Sequence, residues 1–215
     1  MTLPSTLRLG DIAPDFTADT TEGRISFHDW LGDSWAVFFS HPRDFTPVCT
    51  TELGELALLH RHFVKRGVKL IGLSLDTVQS HHQWLQDIRE TQGVAVHFPV
   101  IADLNRAIAG AYGMLHPNHD ESYTVRTVFI IDPAKQIRLT ITYPQSCGRN
   151  FDEVLRAIDS LQLTDTHQVA TPAHWRVGDD VIIPTSISDE QANELFPKGW
   201  QALKPYLRLT PDPRV

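Results

Sequence analysis

The stretch AVFFSHPRDFTPVCTTE, residues 36–52, decides the fold prediction for this chain. Its first part, Ala36–Ser40, is a short continuous apolar run, which is typical of a strand buried on both faces. The strand leads directly into a loop that carries Cys49, and a helical pattern of apolar residues follows from Thr50 to Lys65. The order predicts a cysteine at the amino end of a helix, just beyond a buried strand.

Cys49 is the first candidate for chemistry. A free thiol has a pKa of about 8.5, so only a few per cent is the nucleophilic thiolate at neutral pH. A helix N-terminus and nearby cationic or donor groups favour the thiolate, and His41, Arg43 and Thr46 are close to Cys49 in sequence. An isolated cysteine is more often buried and inert, but this setting indicates a reactive one.

Further strands and helices alternate on both sides of this segment. The patterns predict strands at Ile25–His28, Val68–Leu75, Phe98–Ile101, Val125–Ile131 and Ile137–Tyr143, and helices at Thr77–Glu90, Asn105–Tyr112 and Phe151–Leu163. This order predicts an α/β protein that matches a thioredoxin-like fold, with a central mixed sheet flanked by helices. That fold places its redox centre where a strand passes through a cysteine-bearing loop into a helix.

After about Leu163 prolines become frequent and the predicted helices and strands are short. We expect a strand at Val181–Ile183 and a helix at Asp189–Leu195. The sequence therefore suggests a main domain over residues 1–165 and a C-terminal extension over 166–215. We expect this extension to pack on the main domain or on a second subunit.

Composition restricts the partners and the compartment. The 215 residues carry a formal net charge of −7, which argues against nucleic acid as the main partner. The longest apolar runs are far shorter than the roughly 20 residues that span a bilayer, and the first residues lack the pattern of a secretory signal. Two cysteines make no disulfide framework, so we expect a reducing, cytoplasmic location.

Pro42, Thr46 and Cys49 form a Pro-x-x-x-Thr-x-x-Cys motif, which resembles the signature of the peroxiredoxins of the AhpC/TSA family. The wider run HPRDFTPVCTTELGEL is similar to the one-cysteine, peroxiredoxin 6-like branch of that family. Several further blocks resemble the same branch in the same order: GDIAPDF, FPVIADLNRAIAGAYGML, YPQSCGRNFDEVLR and FPKGW.

The resemblance implies a thiol-specific peroxidase that reduces hydrogen peroxide and organic hydroperoxides through a Cys49 sulfenic acid. An external thiol reductant, which the sequence does not identify, would restore the cysteine, and no haem, flavin or metal cofactor takes part. It also implies a homodimer in which the C-terminal extension contacts the partner subunit. A higher oligomer is also compatible with the resemblance. Antioxidant defence is the corresponding role.

Arg126 is the predicted cationic partner of Cys49. An arginine that enters an apolar strand is costly to bury unless it is paired, and in the family pattern this arginine bonds the thiolate and the peroxide. Thr46 can place its hydroxyl near the sulfur, and Pro42 can fix the loop and shield the thiolate from water. His41 is a candidate for lining the pocket.

Glu52 and Arg149 are the supporting candidates. Glu52 lies one turn into the predicted helix, where it could orient an arginine rather than react, and Arg149 matches a feature of the branch near the active site. Cys147, two residues before Arg149, is a departure from a one-cysteine scheme. It is either a non-participating thiol or a resolving cysteine that forms a disulfide with Cys49.

Three competing functions are weighed against peroxide turnover. A redox-sensing chaperone or signalling protein would use the same chemistry at Cys49 without efficient turnover. Some members of the branch have a phospholipase activity that uses a serine in a Gly-x-Ser-x-Gly context. The corresponding segment, Gly32–Ala36, contains Ser34 but lacks the last glycine. His28 and Asp132 are present as candidates for the histidine and the acid of such a site. The eleven histidines, including His81, show no strong ligand spacing, so we expect solvated histidines and no metal site.

Overall fold

A seven-stranded mixed sheet forms the centre of the first of two units of the chain, Met1–Phe151 and Asp152–Val215. The computed structural model describes residues 7–116, 118, 120 and 122–215. The strands of this sheet are β1 (Thr17–Thr20), β2 (Gly23–Ser26), β3 (Trp35–Ser40), β4 (Val68–Ser74), β5 (Val100–Ala102), β6 (Arg126–Ile131) and β7 (Ile137–Tyr143).

The strand order in the sheet is β2-β1-β5-β4-β3-β6-β7. The three central strands β3, β4 and β5 run parallel, whereas β6 pairs antiparallel with β3 and β7 antiparallel with β6. Strand β3 carries Val37, Phe38 and Phe39, all fully buried, as its continuous apolar run predicts. The prediction of a mixed central sheet of thioredoxin-like type is confirmed.

Within the described residues, four helices accompany this sheet: α1 (Phe27–Leu31), α2 (Pro47–Val64), α3 (Val78–Gln92) and α4 (Ala107–Ala111). Thr77 caps α3, because its hydroxyl accepts a hydrogen bond from the Ser80 amide, and the helix ends at Gly93 with φ 68°. Helices α2 and α3 are joined by a bond from Trp84 Nε1 to Thr50 Oγ1 of 3.0 Å. This contact fixes the start of α2, which carries Cys49, against α3.

The structure differs from the predicted elements at the start of the chain and at α2. Strand β1 was not predicted, and Phe27 and His28 begin a helix rather than ending a strand. Helix α2 begins at Pro47, three residues earlier than expected. Thr46 is extended and a proline at the first helical position has its φ already set for a helix, so the helix includes Cys49 instead of following it.

The second unit contains most of α5 (Phe151–Thr166), then β8 (Val181–Ile183), α6 (Asp189–Leu195), β9 (Gln201–Lys204) and β10 (Leu207–Thr210). Strand β8 and helix α6 have the predicted bounds, but β9 and β10 were not predicted. The three strands form an antiparallel sheet in the order β8-β10-β9. An apolar cluster that includes Trp175, Val181 and Ile183 is buried within this unit.

The buried Arg208 of β10 ties this small unit together. Its guanidinium donates to Asp189 Oδ1 at 2.8 Å and to the carbonyl oxygens of Pro184 and Ile187 at 2.7 and 2.6 Å.

In the part of the chain that the structure describes, no helix is long and apolar enough to span a bilayer.

Candidate active site

Cys49 lies in the first turn of α2 and its side chain is fully buried. Thr46 is the residue before the helix, Pro47 is the first helical residue, and the amides of Val48 and Cys49 follow. In the first turn a helix supplies no acceptor for its own amides, and the positive end of the helix dipole lies there. A negative charge on the Cys49 sulfur is therefore favoured by its position in the helix.

Arg126, the first residue of β6, contacts the sulfur of Cys49. Its Nη1 donates to Cys49 Sγ at 3.3 Å and to Glu52 Oε2 at 2.7 Å. Its Nε and Nη2 both donate to the carbonyl oxygen of Gln145, at 2.9 and 2.7 Å. Because a carboxylate and a carbonyl hold the guanidinium on two sides, it has one orientation, in which Nη1 faces the thiol.

Arg149 holds Glu52 from the other side. Its amide and Nε donate to Glu52 Oε1 at 2.8 and 3.0 Å, and its Nη2 donates to Glu52 Oε2 at 2.7 Å. Nη1 of Arg149 donates to the carbonyl of Ser40 at 2.9 Å, and its guanidinium lies 5.1 Å from the Phe39 ring centre. Glu52 thus contacts both guanidinium groups, Arg126 through one oxygen and Arg149 through both.

The charges of this cluster leave one positive charge unbalanced. Arg126, Arg149 and Glu52 are all buried and together hold two cations and one anion. Burial alone would raise the pKa of Glu52, but the two arginines outweigh burial and lower it, so the carboxylate is ionised. A thiolate at Cys49 would neutralise the remaining charge in a site where water does not screen it.

The other predicted site residues lie in the loop before α2. Pro42 is buried beside His41, whose ring is fully buried. The Thr46 hydroxyl donates to the Arg43 carbonyl at 2.8 Å, so its proton is directed to the loop backbone in this state. Phe45, which lies between Arg43 and Thr46 in the chain, has φ 54°. This left-handed region of the backbone is disfavoured for residues other than glycine. The loop therefore makes a tight, strained turn immediately before the helix that carries Cys49.

His41, Asp44 and His81 form the one group of three that could hold a metal ion among the described residues. The prediction that His81 is a solvated histidine is wrong, because it is fully buried and its Nδ1 lies 2.8 Å from Asp44 Oδ2. His41 Nε2 lies 3.0 Å from Asp44 Oδ1. These are direct hydrogen-bond distances, so the three groups satisfy one another without an ion.

Cys147 is an exposed free thiol in the loop that follows β7. This loop supplies both Gln145 and Arg149 to the cluster around Arg126. Its Gly148 also lies close to α2, since a Cβ at that position would be 3.5 Å from Val48 Cγ1. Cys147 is therefore near the site along the chain, and it differs from the buried Cys49 in its access to solvent.

Gln145, Asp44 and His81 were not predicted as site residues. Gln145 acts through its carbonyl oxygen, which every residue type possesses, so no sequence signal marks it. Asp44 lies inside the motif segment and could have been singled out as a charged residue in a buried loop. His81 follows the Thr77 cap by four residues, which places it on the second turn of α3, but nothing in the sequence brings it to Asp44.

Comparisons with known proteins agree with this geometry. The pattern of the AhpC/TSA family matches residues 9–140, and that of the C-terminal domain of 1-Cys peroxiredoxin matches residues 160–200. The chain belongs to the 1-Cys peroxiredoxins of the AhpC/TSA family. It is 54% identical to a 1-Cys peroxiredoxin of Dictyostelium discoideum over 96% of this chain and 86% of that protein. It is 51% identical to mouse Peroxiredoxin-6 over 98% of this chain and 100% of that one.

Solved structures of peroxiredoxins have the same fold. A cysteine-to-serine mutant of the Peroxiredoxin 6 of Arenicola marina superposes with a TM-score of 0.92 at 49% identity, covering 97% of this chain and 100% of that one. A yeast mitochondrial 1-Cys peroxiredoxin superposes with a TM-score of 0.90 at 52% identity, covering 96% and 100%. This peroxiredoxin is a thiol-dependent peroxidase, as its sequence predicts.

The residues weighed for a phospholipase have other partners in this peroxiredoxin. His28 Nε2 lies 2.8 Å from the Ala13 carbonyl oxygen, so that ring nitrogen carries a hydrogen and donates. The Asp132 carboxylate accepts from the Gln136 amide and from Arg138. These contacts direct the imidazole and the carboxylate to groups other than Ser34, and they do not favour an activated serine.

The buried ionisable groups predict that acid destabilises the folded chain. Burial lowers the pKa of His41 from its ordinary 6.5, and the arginines lower that of Glu52 from 4.5. Since the unfolded chain takes up these protons first, the free energy of unfolding should fall as pH drops below about 6.5 and again below about 4.5. Urea unfolding should show a lower free energy of unfolding at about pH 3.5 than at about pH 6.5; a flat profile would contradict it.

Proposed function

We propose that Cys49 is the nucleophile of the peroxidase and that Arg126 and the first amides of α2 stabilise the charge that develops. The Thr46 hydroxyl joins them when it turns from the Arg43 carbonyl to the bound peroxide. The observation that carries this assignment is the 3.3 Å contact from Arg126 Nη1 to Cys49 Sγ, in a cluster that lacks one negative charge. A guanidinium that touches the sulfur can also donate to a peroxide oxygen placed against it. Pro42 and His41 line the loop and exclude water.

The proposed reaction transfers one oxygen atom. The Cys49 thiolate attacks an oxygen of the hydroperoxide, a sulfur–oxygen bond forms, and the oxygen–oxygen bond breaks. The departing hydroxide or alkoxide takes up a proton and leaves as water or an alcohol, and Cys49 becomes a sulfenic acid. Arg126, which donates to the thiolate before the attack, favours the charge shift onto the leaving oxygen.

An external thiol is the proposed reductant. Its thiolate attacks the sulfenic sulfur and releases water, and a second thiol then frees Cys49 from the mixed disulfide. The related yeast structure concerns thiol resolving through glutathione and thioredoxin systems, which makes these two the first reductants to supply. A redox sensor or chaperone would instead react once with peroxide and would not cycle with either reductant.

Cys147 is proposed to be dispensable for this cycle. It is exposed while Cys49 is buried, and an external thiol needs no second cysteine. We expect Cys147→Ser to turn over with glutathione or thioredoxin at a rate within about twofold of the wild type. Loss of turnover in this variant, with a Cys49–Cys147 disulfide in the wild type, would make Cys147 a resolving cysteine.

The proposal also includes the oligomeric state and the cellular compartment of the protein. We propose a cytoplasmic homodimer in which the extension over residues 166–215 contacts the partner subunit. The second unit supports this, because it has a sheet and a small apolar cluster of its own rather than an unstructured tail. Sedimentation should show a smaller dimer fraction for a chain that ends at Thr166 than for the full chain. An equal dimer fraction would contradict a role for the extension.

One experiment tests the proposed reaction directly. Reduced protein is mixed with one equivalent of hydrogen peroxide, and its intact mass is followed before and after a thiol is added. One added oxygen on the intact protein, absent in Cys49→Ser and removed by the thiol, would support the sulfenic acid cycle. A protein that reacts no faster than a free thiol would refute the assignment of Cys49.

A further inference from the structure

A buried hydrogen-bond network centred on Asp44 joins the loop before α2 to α3, and the proposed reaction gives no role to Asp44 or His81. The Asp44 carboxylate accepts from three side chains: His41 Nε2 at 3.0 Å, His81 Nδ1 at 2.8 Å and Ser80 Oγ at 2.7 Å. The side chains of His41 and His81 are fully buried, and that of Asp44 is 1% exposed. The network joins this loop to the first turns of α3.

The hydrogen-bond partners of His81 determine its protonation. Its Nε2 lies 3.1 Å from the carbonyl oxygen of Ile101, which can only accept. Its Nδ1 faces the Asp44 carboxylate, which also only accepts when it is ionised. Burial would raise the pKa of Asp44, but the hydrogen bonds from His41 and His81 lower it well below its usual range. Both ring nitrogens of His81 must therefore carry hydrogen, and the ring is an imidazolium ion.

The same reasoning fixes the tautomer of His41. Its Nε2 donates to Asp44 Oδ1, while its Nδ1 is buried and has no hydrogen-bond partner among the described residues. A second hydrogen on Nδ1 would add a buried positive charge with no acceptor, which is strongly disfavoured. His41 is thus neutral, with its hydrogen on Nε2 and its lone pair on Nδ1.

The network also holds the backbone of the loop. The Asp44 amide donates to Asp76 Oδ2 at 3.0 Å, and Asp76 accepts from the Ser74 hydroxyl at the end of β4. Thr124 Oγ1 donates to the His41 carbonyl at 2.8 Å, two residues before Arg126. Phe45, next to Asp44, has φ 54°, and such a residue keeps its conformation only when its neighbours are fixed.

We propose that Asp44 and His81 are positioning residues of the peroxidase site, which hold His41 as the neutral Nε2–H tautomer and fasten the strained loop before Cys49 onto α3. This inference rests on the proposed role of Cys49. The Asp44–His81 ion pair is suited to the task because removal of either partner leaves a buried charge unpaired. A shift of the loop would move Thr46 and the first turn of α2, and with them the sulfur.

The nitrogen-15 spectrum of the histidine rings in the wild-type protein is the first test, because a bare ring nitrogen and a protonated one have distinct shifts. The His81→Gln and His41→Gln variants assign the signals. We expect two protonated nitrogens for His81, and one protonated and one bare nitrogen for His41, at neutral pH. A bare nitrogen on His81, or a protonated Nδ1 on His41, in the wild-type protein would overturn the proposal.

The second test measures Cys49 oxidation by hydrogen peroxide in stopped flow. We expect Asp44→Asn and His81→Gln to lower the rate constant about tenfold, since each loses a charged hydrogen bond that fixes the loop. His60→Gln, which changes a partly buried histidine of α2 outside the network, should stay within about twofold. Folded variants with the wild-type rate would contradict the positioning role alone, whereas a slow wild type would contradict the assignment of Cys49.

Discussion

Replacement of Cys49 by serine should abolish the reaction with hydrogen peroxide. A serine hydroxyl keeps the approximate size of the thiol and its place beside Arg126, but it does not ionise at neutral pH and forms no sulfenic acid. Loss of a nucleophile typically costs several orders of magnitude in rate, so we expect the rate constant to fall by roughly four orders of magnitude or more. Stopped-flow fluorescence can follow it, because Trp84 bonds Thr50, next to Cys49.

The matched control is Cys147→Ser, which removes the other free thiol. It should retain the fast reaction with peroxide, since no described contact joins Cys147 to Arg126. A fast reaction in Cys49→Ser that disappears in Cys147→Ser would identify Cys147 as the nucleophile. Equal loss in both variants would instead indicate that the two cysteines act together.

Replacement of Glu52 by glutamine should cause the largest loss of stability. The carboxylate accepts four hydrogen bonds, one from Arg126 and three from Arg149. A neutral amide leaves two buried guanidinium groups without the carboxylate that they share, and breaking a buried ion pair in this way typically costs about 3–5 kcal/mol. Arg126 also loses one of its two anchors, so the peroxide reaction should slow about tenfold in the protein that remains folded.

Glu55→Gln is the control for this variant, because Glu55 is an exposed glutamate of the same helix. Urea unfolding should separate the two variants clearly at about pH 7. Glu52→Gln should also show a smaller drop in stability below about pH 4.5, since the lowered pKa of Glu52 contributes to that drop. Two variants with the same midpoint and the same pH profile would show that the arginines do not need this carboxylate.

The sequence predicted the parts of the fold that depend on local patterns. The apolar run of β3 and the bounds of β8 and α6 followed from short-range periodicity. Strand β1 and the pair β9 and β10 were missed because each is only four residues long, too short for a pattern to mark a strand. Their pairing partners lie elsewhere in the chain, so only the assembled sheets define them as strands.

The sequence by itself determined the family and the identity of the principal groups: a cysteine in a recognisable motif, an arginine at the start of an apolar strand, and a glutamate one turn beyond the cysteine. The tertiary structure decided how these groups act. Arg126 faces the Cys49 sulfur because Gln145 and Glu52 fix it, and His81 reaches Asp44 across 37 residues of chain. Such contacts depend on the packing of distant segments, and hydrogen-bond direction and charge balance exist only once those segments meet.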